Sequence, residues 1–133
     1  MAVTYRDSDE IDFTELARLF DDAGWSARTV DQERFAALIK GSRFVVSAWD
    51  GDALVGFARA ISDGVRNAYV TDVVVRPDHR RQGIGAELVR RLLEGRDAIK
   101  FVLRADPELH RWYAALGFVE APNMLVRDRR APG

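Results

Sequence analysis

Apolar side chains recur along this chain with two spacings, and the switches between them predict the order of elements. Val3-Thr4-Tyr5 reads as a short first strand. Phe13, Leu16, Ala17 and Phe20 then share one helical face behind Asp12-Phe13-Thr14-Glu15, a reciprocal capping pattern, and Gly24 ends that helix. Thr29-Val30-Asp31-Gln32 resembles a second capping box, and Phe35, Leu38 and Ile39 line the helix after it. Arg43 to Trp49 and Ala53 to Ile61 read as strands joined through Asp50-Gly51-Asp52, a hairpin signal. Ser62-Asp63-Gly64 turns the chain into a strand from Ala68 to Val75. Ile84, Leu88 and Leu92 mark a helix running to about Glu94, with Glu87 and Arg91 paired on its wet face. Ile99 to Leu103 is another strand. Asp106 caps a last helix with Pro107 in its first turn; Leu109, Trp112, Tyr113 and Leu116 line it, and Gly117 stops it. Trp112 is assigned to the core. Phe118 to Glu120 and Met124 to Arg127 read as two closing strands. The order β-α-α-β-β-β-α-β-α-β-β predicts an α/β fold of the α+β kind, a mixed sheet flanked by helices.

Composition narrows the classes of function. A chain of 133 residues with 47% hydrophobic and 31% charged side chains fits one soluble domain, residues 1–133, with 127–133 as a loose tail. Net charge is −1, so composition gives no support for nucleic-acid binding. No apolar run approaches the roughly 20 residues of a membrane helix. The start, Met-Ala-Val-Thr-Tyr-Arg, lacks the apolar centre of a secretion signal, and cytoplasmic residence is the expectation. Cysteine is absent, which excludes disulfides and thiol nucleophiles, and two histidines make a metal site an unpromising reading. His79 and His110 both fall in polar, helix-flanking surroundings and are expected to face solvent.

Candidate chemistry concentrates in Arg80-Arg81-Gln82-Gly83-Ile84-Gly85-Ala86, between a strand and a helix. The first amides of a helix lack intrahelical partners and carry partial positive charge, so such a junction suits a pyrophosphate. The bland alternative is a tight helix entry, since Gly-x-Gly is short and common. A dinucleotide-binding turn fits poorly: its third glycine would fall on Leu88, and Arg76 to Gln82 separate the strand from the first glycine. A Walker-type string is absent.

Val75-Arg76-Pro77-Asp78-His79-Arg80-Arg81-Gln82-Gly83-Ile84-Gly85-Ala86 resembles the signature of the GNAT superfamily of N-acetyltransferases. Trp112-Tyr113-Ala114-Ala115-Leu116-Gly117-Phe118 is similar to a second family signature at the expected distance, and the element order matches along nearly the whole chain. Leu54 to Ala60 and Asp72 to Val75 also look similar to small enzymes acting on arylalkylamines.

The resemblance implies acetyl-CoA as donor, an amine on a small molecule or peptide as acceptor, and no metal. Nucleic-acid and membrane partners are not implied, and a homodimer is usual for short members. It places the backbone of Val73, Val74 and Val75 beside the pantetheine arm and the residues from Arg80 through Arg81, Gln82, Gly83, Ile84, Gly85 and Ala86 around the diphosphate. Asp106 stands where family members often carry a cofactor-touching asparagine. Tyr113 matches the tyrosine that protonates the departing thiolate; on spacing alone it is a further member of an apolar stripe. Asp72, a carboxylate in an apolar strand, either binds or deprotonates the acceptor ammonium or is a hydrogen-bonded structural acid. Trp25 and Arg28 would flank the acceptor pocket. Two other functions stay open: a non-catalytic acyl-CoA-binding module, and a protein or peptide N-acetyltransferase.

Overall fold

A computed structural model describes residues 2–131 of the chain; the first methionine and the last two residues, part of the expected tail, lie outside that range. Five strands form one sheet in the order β1 (Val3–Arg6), β2 (Phe44–Asp50), β3 (Ala53–Ser62), β4 (Asn67–Val75) and β5 (Lys100–Leu103). The first four pair antiparallel and β4–β5 pair parallel, so the sheet is mixed as expected. Helices α1 (Phe13–Asp22) and α2 (Gln32–Lys40) precede β2, α3 (Ile84–Leu93) joins β4 to β5, and the short α4 (His110–Ala114) follows β5.

Two apolar clusters pack on the sheet. Leu16, Leu19, Phe20, Phe35 and Ile39 of α1 and α2 bury against Trp49, Leu54, Phe57 and Val74. Phe20 is its hub, edge-on to Phe35 at 5.3 Å and to Trp25 at 5.8 Å between centroids. Ile84, Leu88 and Leu92 of α3 bury in the second cluster, against Val46, Val55, Ala58 and Val70. Gly56 permits the close approach of α3 to β3, since a Cβ there would stand 3.1 Å from both Ile84 Cγ2 and Leu88 Cδ1.

Strand β4 changes allegiance partway. Arg59 pairs with Asp72 but Ala60 pairs with Val70, so Thr71 is an inserted residue, a β-bulge. Ala68 and Val70 join the α3 cluster; past the bulge the even positions turn over, and Val74 belongs to the α1–α2 cluster. A one-residue slip flips every later side chain to the other face.

Several local expectations need correction. Asp12 caps α1 by accepting from the amides of Thr14 and Glu15, but Glu15 does not reach back: its Oε1 accepts from Leu54 N at 3.2 Å and ties the helix to β3. Asp31, not Thr29, caps α2, accepting from Arg34 N. Thr29 instead ends a one-turn helix at Ser26–Arg28, where its hydroxyl donates to Asp21. Asp106 precedes its helical turn without a side-chain cap; its carbonyl accepts from Leu109 N. Trp112 is not core, being 39% exposed. His110 is exposed as expected, whereas His79 is half-buried between Asp50 and Asp78.

The two closing strands, Phe118–Glu120 and Met124–Arg127, do not form; this segment is irregular. It runs on the surface with Val119 and Leu125 exposed, held at Arg104–Asp128 and His110–Glu120. Alternating apolar character identifies residues able to pair but supplies no ladder partner, and here none is engaged.

Candidate functional site

β4 and β5 stay paired only as far as Val70 opposite Leu103. Beyond that point Thr71 to Val75 keep β3 on one side, with Val73, Val74 and Val75 opposite Ala58, Phe57 and Gly56, while their other edge has no strand neighbour among the described residues. An exposed strand edge presents N–H and C=O groups to any extended amide chain that lies along it. The edge leads through Arg76 into the glycine turn.

That turn has an unusual backbone. Arg81 has φ 64° and Gly83 φ 79°, both left-handed, and Gly83 occupies the N-cap position of α3. A non-glycine residue rarely holds such a φ, so Arg81 stores local strain of the kind found at ligand clamps. Glu87 N makes the first intrahelical bond, to Gly83 O at 3.1 Å, which leaves the amides of Ile84, Gly85 and Ala86 ahead of the ladder at the positive end of the helix dipole. Gln82 and Gly83 are exposed, and Ile84 turns its side chain into the core. Arg80 does not simply extend into solvent: its Nε donates to Val75 O at 3.2 Å and fastens the turn to the end of β4.

Gly85 has a second neighbour that sequence reasoning missed. A Cβ at this position would meet Trp112 Cζ2 at 3.4 Å and Val75 Cγ2 at 3.8 Å. The indole of α4 therefore lies over the first turn of α3. Tyr113 stands beside it, edge-on to Trp112 at 4.8 Å and to Phe118 at 5.7 Å. Burial raises the Tyr113 pKa above its ordinary value, so the phenol keeps its proton at neutral pH. The two sequence motifs thus meet in space through Val75, Gly85 and Trp112. Asp106 is exposed just past β5.

On the opposite face of β4, Asp72 is 2% exposed and sits between two arginines. Arg59 Nε donates to its Oδ2 at 2.6 Å, while Arg59 Nη1 donates to Leu38 O at 3.0 Å and Ser42 Oγ at 3.1 Å. This guanidinium is buried and fixed. Arg28 Nε lies 2.9 Å from Oδ1, yet that oxygen has no aligned hydrogen bond, and the Arg28 side chain is 40% exposed. Its guanidinium also covers the Trp25 ring at 5.0 Å. Trp25, Arg28 and Asp72 are therefore brought together as a cluster. Arg59 and Ser42 belong to it and were missed; a buried arginine in the middle of an apolar strand was the available signal.

A concavity of about 590 Å³ between α1 and α2, lined by Phe13, Ala17 and Phe35 among others, shares no residue with the glycine turn or Asp72. Among the described residues no cluster of three or more metal-ligating side chains occurs, and no helix is long and apolar enough to cross a membrane.

Residues 10–118 match the model of the acetyltransferase (GNAT) family. The chain is 32% identical over 120 residues to the uncharacterized N-acetyltransferase ycf52 of Pyropia yezoensis, covering 85% of this chain and 68% of that protein. It is 33% identical over 130 residues to the chloroplastic serotonin N-acetyltransferase 2 of Oryza sativa subsp. japonica, covering 90% of this chain and 62% of that one. The crystal structure of a GNAT-family protein from Xanthomonas campestris pv. campestris superposes with a TM-score of 0.81 at 26% identity, over 100% of this chain and 96% of the other.

Proposed function

The chain belongs to the acetyltransferase (GNAT) family, and from that premise we propose that it transfers an acetyl group from acetyl-CoA directly to a primary amine. One observation carries the reading: the free edge of β4 runs without interruption into a turn whose helix-start amides are unpaired. Edge amides suit the pantetheine arm, and the helix start suits the diphosphate. Backbone groups of Val73, Val74 and Val75 would flank the thioester, where an N–H stabilises the oxyanion. Arg81, Gln82, Gly83, Ile84, Gly85 and Ala86 hold the diphosphate in this reading, with Arg80 bracing the turn and Asp106 at the edge of the arm.

The amine nitrogen attacks the carbonyl carbon, the C–N bond forms, and the C–S bond breaks. Tyr113, still protonated at neutral pH, donates to the leaving sulfur; the acceptor ammonium gives one proton to water before it attacks and a second as the amide forms, and the tyrosinate regains a proton through water. Asp72 is already flanked by two guanidiniums. It serves the acceptor as a binding group, and Trp25 forms the wall beside it.

Small amines are the proposed acceptors, a reading that the name of the rice relative supports, and the cytoplasm is the proposed location; a survey of amine and peptide acceptors and cell fractionation check the two proposals. Thiol release from acetyl-CoA with a panel of amines tests the central reading. Turnover with at least one amine supports it. Tight coenzyme binding with no turnover on small amines or peptides would make the chain an acyl-CoA-binding module instead.

A further inference from the structure

Asp72 carries a buried oxygen with an unusual neighbour. Burial of a carboxylate oxygen without an aligned donor is costly, and such atoms are rare. Oδ2 is served by Arg59, whose other nitrogen is anchored to Leu38 and Ser42. Oδ1 faces only the Nε of Arg28, close at 2.9 Å but outside hydrogen-bond alignment. The two arginines thus differ in kind. One is packed into the sheet, and the other is a half-exposed side chain from the link between α1 and α2.

We propose that the Arg28 guanidinium is a placeholder: it occupies the position that the acceptor's ammonium takes, above the Trp25 ring and against Asp72 Oδ1, and the acceptor binds by displacing it. This rests on the proposed amine acetylation and adds the identity of the group that competes for the acceptor site. Three features converge on it. The position already holds one monovalent cation against a buried carboxylate. The aromatic face beneath that cation favours any cation that has shed water. The misaligned contact costs little to exchange, because an ammonium with three freely rotating donors can align on Oδ1 where a rigid guanidinium does not. The fixed Arg59 holds Asp72 in place during the exchange.

Selectivity follows. The site takes a compact, singly charged ammonium. It discriminates against neutral isosteres, which offer Arg28 nothing to be exchanged for. Arg28 acts as a positioning and specificity residue, setting how much amine is needed to open the site.

The test uses butylammonium as the probe and butanol as its neutral isostere, titrated by NMR into coenzyme A-loaded protein. In the unmodified chain, saturating butylammonium should shift the Arg28 Nε–Hε resonance while that of Arg59 stays in place; an unmoved Arg28 signal at saturation sinks the idea. Arg28→Gln should bind butylammonium about tenfold more tightly, since the competing cation is gone, with butanol binding unchanged. Arg28→Lys should return the affinity toward the unmodified value, and Asp72→Asn in the Arg28→Gln background should erase the gain. Weaker or unchanged butylammonium binding by Arg28→Gln would instead make Arg28 a structural partner or an anchor for an acceptor's anionic group. Binding in the expected order without acetyl transfer to any amine would overturn the proposed enzyme function and leave the placeholder intact, so the two failures are distinguishable.

Discussion

Two regions of β4 build their sites from different materials. The end of β4 that leads into α3 presents backbone: free edge groups, the amides of Ile84, Gly85 and Ala86, and a turn shaped by left-handed residues at 81 and 83. The face toward α1 and α2 presents side chains, with Asp72, Arg59, Ser42, Arg28 and Trp25 gathered from four separate parts of the chain. Backbone sites are encoded by neighbours in sequence, so one short segment announces them. Side-chain clusters form only after folding.

The sharpest way to break that contrast is to attack the buried cluster. Arg59→Met removes the fixed partner of a fully buried carboxylate, and a loss of about 3–5 kcal/mol is expected in urea unfolding. A loss below about 1 kcal/mol, within the range of an exposed ion pair, would show that Arg28 alone satisfies Asp72. Next in size, Tyr113→Phe should lower turnover more than about tenfold, as expected for an acid catalyst, with coenzyme affinity little changed. Unchanged turnover returns the ring to a packing role.

Gly85→Ala probes the backbone region more gently. Its Cβ would meet the Trp112 ring only at ordinary contact distance, and alanine favours a helix, so stability should hold or rise slightly. Coenzyme affinity measured by calorimetry should nonetheless fall severalfold, because the new methyl crowds the anion at the first turn. Equal loss of stability and affinity would mean that the glycine serves Trp112 packing alone.

The smallest effect concerns the pH response of the turn. His79 accepts or donates to Asp78 and Asp50, and hydrogen bonds to both carboxylates raise its pKa above 6.5. A raised pKa in the folded state means that its stabilisation is fully present below 6.5 and fades as pH rises through the folded value. Unfolding midpoints should therefore decline slightly over that window, and His79→Gln should flatten the part that His79 contributes. His110, raised by Glu120 and the Ala105 carbonyl, contributes in the same direction and is controlled by a parallel His110→Gln variant.

Legibility in the sequence follows the same division. Apolar spacing located the five strands that formed and all four helices, with small boundary shifts, because each buries a periodic face. It over-assigned Phe118–Glu120 and Met124–Arg127, where pairing depends on a partner edge that no local pattern specifies. The glycine turn was readable as a strand-to-helix junction that leaves helix-start amides free, because its residues are neighbours in sequence. Trp112 was misplaced because its spacing matched a core stripe, while its actual neighbour, Gly85, lies far away in sequence. Asp72 was recognisable as anomalous, but its two arginines were not assignable to it, since Arg28 arrives from a loop and Arg59 through cross-strand register.

Thr71 deserves a final consequence. By adding one residue to β4, it sets Val70 and Asp72, two positions apart, on opposite faces of the strand, one in the α3 cluster and the other beside Arg59. Excising it would restore regular alternation, with Val70 and Asp72 consecutive and still opposite Ala60 and Arg59, so the ion pair would keep its register while the local bend of β4 was lost. One irregularity in the stitching therefore shapes the bend at which β4 parts from β5, and leaves the pairing of the two charges alone.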